Sequence, residues 1–261
     1  MDKIEILGIK IDNLSLQEVL EKIKRFLDSD QQHYVVTPNP EFIVASQTDG
    51  HFKEILNYAD IAVADGIGLV KAAKFSGKRL QRVTGVDLVW AVCELAEQIN
   101  CSVYLLGAKG TVARRAGTVL QENFKNLTIA GAESGGEIND PKEINFDIVN
   151  KINASQAKIL FVALGHVKQE KWIFYHLDRL KNVKVAIGVG GAFDYISGEV
   201  VRAPLFLRRL GLEWLFRLVT QPQRFKRIFN ATIVFTFLLI KKKFLDFFRK
   251  ENNDISTPDK P

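Results

Sequence analysis

Six short apolar runs, separated by stretches of helical length and several of them closed by glycine, constrain this chain more than any other feature. Residues 33–37, 61–64, 103–106, 127–130, 159–163 and 183–189 carry recurring β-branched side chains and read as strands. Helices fall between them. Ser15 and Glu18 form a capping box, with Leu14 and Val19 at the staple positions, so a helix runs to about residue 27. Pro38 and Pro40 force a defined turn after the first of the six strands, and Pro40 suits the first turn of a helix through about residue 46. Thr84 and Asp87 form a second box that opens a helix to about residue 99. Further helices are expected from Gly110 to about residue 124, over 145–154 and from 168 to about 180. This alternation specifies an α/β fold: a Rossmann-like, mostly parallel sheet with helices on both faces, placed at residues 1–195 and opened by a short strand or hairpin at 4–11.

In such folds ligands bind beyond the carboxyl ends of the strands. The candidate loops are therefore 37–40, 65–68, 107–110, 165–170 and 188–194. Asp65 stands directly after a strand in a loop loosened by Gly66 and Gly68. A carboxylate there could take a proton from an attacking hydroxyl, its pKa raised by a partly closed pocket; a turn Asp bonding its own backbone weighs equally. Thr37 and Asn39 offer a hydroxyl and a carboxamide to a sugar or diphosphate, although Asn39 is also a strong N-cap before Pro40. The turn beginning at Gly107 resembles a phosphate or uridine contact and equally a ligand-free tight turn. It has neither GxGxxG nor P-loop spacing, which argues against a dinucleotide oxidoreductase or an ATPase. After Gly165, Gln169 and Glu170 lie in the first turn of a helix, Gln169 able to donate to a sugar or phosphate oxygen and Glu170 able to favour the helix N-terminus. His166 reads as a surface or capping histidine before it reads as a base. No HExxH, cysteine pair or Asp-x-Asp pattern offers a metal site; if the donor is a nucleotide sugar, arginine is the natural group to meet its leaving diphosphate.

Charge divides the chain of 261 residues. Residues 1–201 hold 23 Lys/Arg and 25 Asp/Glu, whereas 202–250 hold 12 Lys/Arg, 2 Asp/Glu and ten Phe or Trp. The formal +6 is thus a property of the tail. Pro204 is expected to open a helix through about residue 219 and Pro222 another through about 240, with Arg217 ending the first and Arg224 and Arg227 sharing a face of the second. Lys241, Lys242 and Lys243 beside Phe244, Phe247 and Phe248 suit an anionic lipid surface. Residues 196–250 therefore read as a helical, membrane-associating appendage, and 251–261 as a disordered tail. The most apolar stretch, 229–240, falls short of the ~20 residues a span needs and is interrupted by Asn230, Thr232 and Thr236. The start of the chain has no secretory pattern, and Cys93 and Cys101 read as reduced core residues of a cytosolic protein. A nucleic-acid binder is disfavoured, because the basic surplus is confined to the tail and no helix-turn-helix or RNA-binding signature occurs.

Six segments in order carry a family resemblance: Thr37-Pro38-Asn39-Pro40, Ala64-Asp65-Gly66-Ile67-Gly68, Arg82 through Leu88, Gly165 through Glu170, Gly188 through Asp194, and Arg202-Ala203-Pro204 continuing to Gly211 through Arg217. Together, over roughly residues 4–230, they resemble the WecG/TagA/CpsF family of bacterial glycosyltransferases. The resemblance implies a metal-independent, inverting hexosyltransferase without a cofactor. It would move N-acetylmannosamine, or its uronic acid, from UDP to undecaprenyl-diphosphate-linked N-acetylglucosamine, for teichoic acid or another surface polysaccharide. Asp65 is then the general base, with Thr37, Asn39 and Gln169 in the same pocket. Arg217, Arg224 and Arg227 would fold over the site and bind diphosphate, Arg82 would lie near the acceptor, and Gly107, Gly165, Glu170 and Gly190 would line the substrate loops. The resemblance also implies a mobile tail, a cytoplasmic enzyme peripheral on the inner face of the membrane, and a body that forms dimers or trimers without the tail. A related transferase using another UDP-sugar, such as UDP-glucose, fits the same residues, and a membrane-recruited nucleotide-binding scaffold is opposed by the intact Asp65, Thr37, Asn39 and Gln169. One departure stands out: Val167 occupies a position where the family usually has proline, and valine is expected to leave the start of that helix looser.

Overall fold

The computed structural model describes residues 3–255, without the side chains of Arg209, Arg224, Phe247 and residues 249–255. The chain opens with an antiparallel hairpin, β1 (Lys3–Ile6) and β2 (Ile9–Asp12). Six further strands follow: β3 (His33–Val36), β4 (Ile61–Ala62), β5 (Val103–Gly107), β6 (Ile129–Glu133), β7 (Ile159–Ala163) and β8 (Val185–Gly188). They form one parallel sheet in the order β4-β3-β8-β7-β5-β6. β4 is shorter than its apolar run predicts, with Ala64 making an isolated parallel bridge to Arg82 instead. β6 begins two residues later than expected.

Alternation splits the core in two. In β7, Leu160 and Val162 enter one apolar cluster, while Ile159, Phe161 and Ala163 enter the other. Each strand thus has apolar residues on both faces, as a sheet covered by helices on both sides requires. One face is covered by helices Pro40–Ser46, Gly50–Tyr58, Ile67–Phe75, Phe146–Ser155 and Lys168–His176, the other by Leu16–Leu27, Gly85–Gln98, Val112–Asn123 and Ala192–Ile196. Phe161, at 0% exposure, anchors the second cluster, and its truncation to alanine would cost about 3–5 kcal/mol.

Local signals act as the sequence predicts at several ends. Ser15 Oγ accepts from Glu18 N at 3.2 Å while Glu18 Oε2 accepts from Ser15 N at 2.7 Å. Asn39 Oδ1 caps the next helix through Glu41 N at 2.8 Å and Phe42 N at 3.3 Å. At Thr84 the box is only half formed. Thr84 Oγ1 accepts from Asp87 N at 3.2 Å, but the Asp87 carboxylate takes the Thr84 hydroxyl at 2.7 Å and Arg202 Nη1 at 2.7 Å.

The tail differs from expectation in two places. The helix expected from Pro204 is broken into Leu205–Arg209 and Glu213–Thr220, because Gly211 adopts φ +73°. A Cβ there would lie 3.0 Å from Ile67 Cγ1, so the break also lets the tail pack against the body. The helix expected from Pro222 becomes a 3-10 turn Pro222–Arg224, a helix Phe225–Phe229, a π turn Asn230–Val234 and a long helix Phe235–Ile255. That last helix runs past residue 250, into the segment expected to be disordered; residues 256–261 lie outside the described residues. No helix among the described residues is long and apolar enough to cross a membrane.

Candidate active site

A cleft of about 1470 Å³ lies at the carboxyl ends of the strands. Adjacent strands β5 and β7 lead to helices on opposite faces of the sheet, Val112–Asn123 and Lys168–His176, so a crevice opens between them. This is the topological switch point at which open α/β sheets take ligands. Ala108 to Thr111 line one side of the crevice and Ala163 to His166 the other. At this size the cleft exceeds the ordinary range for one small ligand.

Asp65 sits where the cleft meets the tail. Its N–H donates to Pro38 O at 2.7 Å, which ties the loop after β4 to the loop after β3. Burial pushes the Asp65 carboxyl up to about 6; the Arg217 and Arg82 guanidiniums pull it down, Glu213 pushes it up, and the Gly85 N–H adds a smaller downward pull. The side chain keeps partial solvent exposure, yet it is closely surrounded, and that crowding sets the direction. A carboxylate of this kind is ionised at neutral pH and is a better base than an exposed aspartate.

Glu213 organises the cationic wall. Arg82 Nη2 donates to its Oε2 at 3.0 Å, and Arg217 Nη2 donates to its Oε1 at 2.6 Å. Against the upward push of burial, Arg217 and Arg82 hold the Glu213 carboxyl below its ordinary value. The Arg217 guanidinium also lies over the Tyr195 ring, 5.3 Å from its centroid. Both arginines bury an Nε that has no hydrogen-bond partner among the described residues. Buried donors of this kind normally have acceptors, so these two N–H groups beside Asp65 carry a desolvation cost.

The other expected residues divide between wall and framework. Thr37 Oγ1 donates to Gly188 O at 3.0 Å and joins the ends of β3 and β8. Asn39 spends its carbonyl as the N-cap but still lines the cleft. Gln169, fully buried, donates through Nε2 to Glu170 Oε1 at 2.6 Å and accepts at Oε1 from Gly190 N at 3.0 Å. The carboxamide expected to hold substrate is therefore committed to Glu170 and to the Gly190 loop. Glu170 lies behind the wall at 0% exposure, and burial pushes its carboxyl up to about 8 while Gln169 pulls it down. It is mostly neutral at pH 7. Gly188 makes room for this pair, since a Cβ there would sit 2.8 Å from Glu170 Oε1. Gly107 is likewise framework: with φ +118°, its Cβ would meet the Ala163 carbonyl carbon at 2.5 Å, and the cleft wall begins at Ala108. Gly165 and Gly190 line the cleft at φ +86° and +56°.

Val167 adopts φ +69°, ψ −52°, a strained γ-turn conformation. A proline, held near φ −65°, could not adopt this turn, so valine goes here with a backbone that proline excludes. Arg227 Nε donates to Glu41 Oε2 at 2.8 Å, and its Nη2 lies 3.3 Å from His166 Nδ1. Burial lowers the His166 pKa, Glu41 raises it and Arg227 lowers it, with the net downward. His166 is thus neutral and accepts from Arg227. Arg224 closes a 3-10 turn, and its side chain lies outside the described residues.

Sequence reasoning missed Glu213, Glu41, Tyr195 and Arg202 as site residues. Glu213 and Arg202 stood inside conspicuous motifs, but nothing local shows that Glu213 bridges two arginines or that Arg202 crosses to Asp87. Among the described residues no three His, Cys, Asp or Glu side chains gather as metal ligands would.

The family model described as Glycosyl transferase WecG/TagA/CpsF family matches residues 4–247. Two similar proteins, from Staphylococcus aureus strains MRSA252 and NCTC 8325 / PS 47, each bear the name N-acetylglucosaminyldiphosphoundecaprenol N-acetyl-beta-D-mannosaminyltransferase. Each is 31% identical over 244 residues, covering 92% of this chain and 93% of the relative. With a match of that breadth over a site of this geometry, the chain belongs to the WecG/TagA/CpsF family of glycosyltransferases.

Proposed function

We propose that this glycosyltransferase moves N-acetylmannosamine from UDP to N-acetylglucosamine carried on undecaprenyl diphosphate, with inversion at the anomeric carbon. The observation that carries the reading is Asp65, which lines the cleft beside the Arg217 and Arg82 guanidiniums with its carboxyl pushed up to about 6. Asp65 removes the proton of the acceptor hydroxyl as the oxygen attacks the anomeric carbon. The bond from that carbon to the UDP oxygen breaks on the opposite face, and a single displacement inverts the centre. Charge developing on the leaving diphosphate is met by guanidinium groups, Arg217 and Arg227 foremost, with no metal ion required. The donor occupies the crevice between β5 and β7, where Thr111 leaves the first turn of its helix without a side-chain cap and backbone N–H groups remain for phosphate or uracil. Gln169 and Glu170 act one step back, holding the Gly190 loop in place.

The tail brings this site to its acceptor. Phe206, Phe225, Phe237 and Phe244 are exposed in the same segment as Lys241 and Lys243, which suits an anionic membrane surface on the cytoplasmic side. The product would enter teichoic acid or a related surface polysaccharide. The deciding experiment is transfer from a panel of UDP-sugars to a short-chain lipid-diphosphate N-acetylglucosamine. Turnover is expected with UDP-N-acetylmannosamine, and preference for UDP-glucose would move the enzyme to a neighbouring specificity.

A further inference from the structure

A second cavity, of about 480 Å³, shares Asn39, Glu41, Asp65, Arg82, Glu213 and Arg217 with the cleft. Beyond that shared wall its lining changes character. Ile67, Ala72 and Phe75 form the body side, and Trp214, Phe235 and Leu239 form the tail side. Gly68, Gly211 and Ala231 also line it. Thr232 offers no free donor, because its hydroxyl is bonded to Ile228 O at 2.7 Å. The π turn Asn230–Val234 contributes Ala231 and Thr232, and such turns concentrate at functional sites. The far end opens at Phe75 and Ile240, 51% and 57% exposed, with Lys243 Nζ 3.9 Å from the Phe75 ring centroid.

Along this path a carboxylate base and the Arg82 guanidinium on the shared wall give way to hydrocarbon walls and then to an exposed aromatic and cationic rim, with Arg217 left to the donor's diphosphate. A ligand with a hydroxyl-bearing sugar, a diphosphate and an apolar chain has the same order. We infer that this groove holds the first isoprene units of the acceptor lipid, so that the enzyme recognises the lipid as well as the sugar; the inference rests on the transferase reading above. Entry of the acceptor from this side leaves the β5–β7 crevice to the nucleotide.

Trp214 reports on the groove directly. Full-length protein is titrated with farnesyl diphosphate and, separately, with inorganic diphosphate, and tryptophan emission is followed. The expected result is a saturable change with farnesyl diphosphate that inorganic diphosphate does not produce and Trp214→Phe abolishes. Ala231→Phe should weaken the farnesyl response at least tenfold, and Ile240→Asp, at the exposed rim, provides a second variant outside the packed core. In turnover, a prenyl-linked acceptor should have a KM at least tenfold below that of a short-alkyl acceptor, and Ala231→Phe should erase that advantage. Equal emission responses to the two diphosphates, or an undiminished prenyl advantage in both folded variants, would overturn the groove. Farnesyl binding at Trp214 with no sugar transfer to any acceptor would uphold the groove and sink the transferase reading instead.

Discussion

Asp65→Asn should disable the enzyme and stabilise it. The native carboxyl moves from an ordinary 3.8 to about 6, chiefly because burial penalises its charge. A rise of roughly 2 units corresponds to about 3 kcal/mol, and partial exposure of the side chain reduces this to about 1–2 kcal/mol. The sign follows from proton binding. Between pH 3.8 and about 6 the folded state keeps a proton that the unfolded chain has released, so native stability falls as pH rises through that window. Above it the penalty is constant, and below it the penalty is absent. Asparagine carries no charge at any pH and escapes the penalty. Urea unfolding should therefore find the two proteins nearly equal at pH 4 and the variant about 1–2 kcal/mol more stable at pH 8. Turnover of the variant at pH 8 should fall by about 10²–10⁴ while UDP binding persists. A stability difference independent of pH would refute the buried-charge account. Near-normal turnover of the folded variant would remove Asp65 as the base.

Arg217→Ala and Arg227→Ala should each lower turnover with a soluble short-lipid acceptor, by about 10²-fold or more for Arg217, with Arg224→Ala acting in the same direction; neutralising Lys241, Lys242 and Lys243 should spare that reaction and weaken flotation with anionic vesicles. Equal losses from the arginine and lysine sets in the soluble assay would mean that the tail acts through general charge. Transfer should survive exhaustive EDTA treatment, and abolition by EDTA with recovery on adding Mg²⁺ or Mn²⁺ would overturn the arginine account. Gly107→Ala should cost about 3 kcal/mol, from a left-handed backbone and from contact with the Ala163 carbonyl, measured as a shift in the urea midpoint.

Much of the architecture was legible because its causes are short-range. A capping box spans three residues, so Ser15 and Glu18 announce their helix without help from the rest of the chain. Apolar runs such as Ile159–Ala163 need burial on both faces, which specifies strands inside an α/β sheet. The carboxyl ends of the strands mark the ligand edge, and Asp65, Thr37 and Asn39, singled out by that position, all line the cleft. The same locality explains the misses. The apolar and basic pattern after Pro204 continues across Gly211, and it does not show that the chain turns left-handed there and passes so near Ile67, far back in the chain, that a Cβ would lie 3.0 Å from it. Gln169 looked like a free substrate ligand because its partner at Gly190 is 21 residues away.

The sequence alone thus determined the strands, the helices that carry caps and the loops that gather at one edge, since hydrogen bonding within a turn and burial periodicity act over a few residues; the helices Gly50–Tyr58 and Ile67–Phe75 and the breaks in the tail did not show in it. Tertiary structure alone decided the strand order, the crevice between β5 and β7, and the electrostatics of the site. Arg82 reaches Glu213 across 131 residues, and Arg227 reaches Glu41 across 186. Coulomb forces and desolvation depend on distance in space and on what excludes water, and neither is written in the spacing of residues along the chain. The pKa of Asp65 belongs to that second class, because only the packing of the tail over the loop after β4 brings Arg217 and Glu213 to it and takes water from around it.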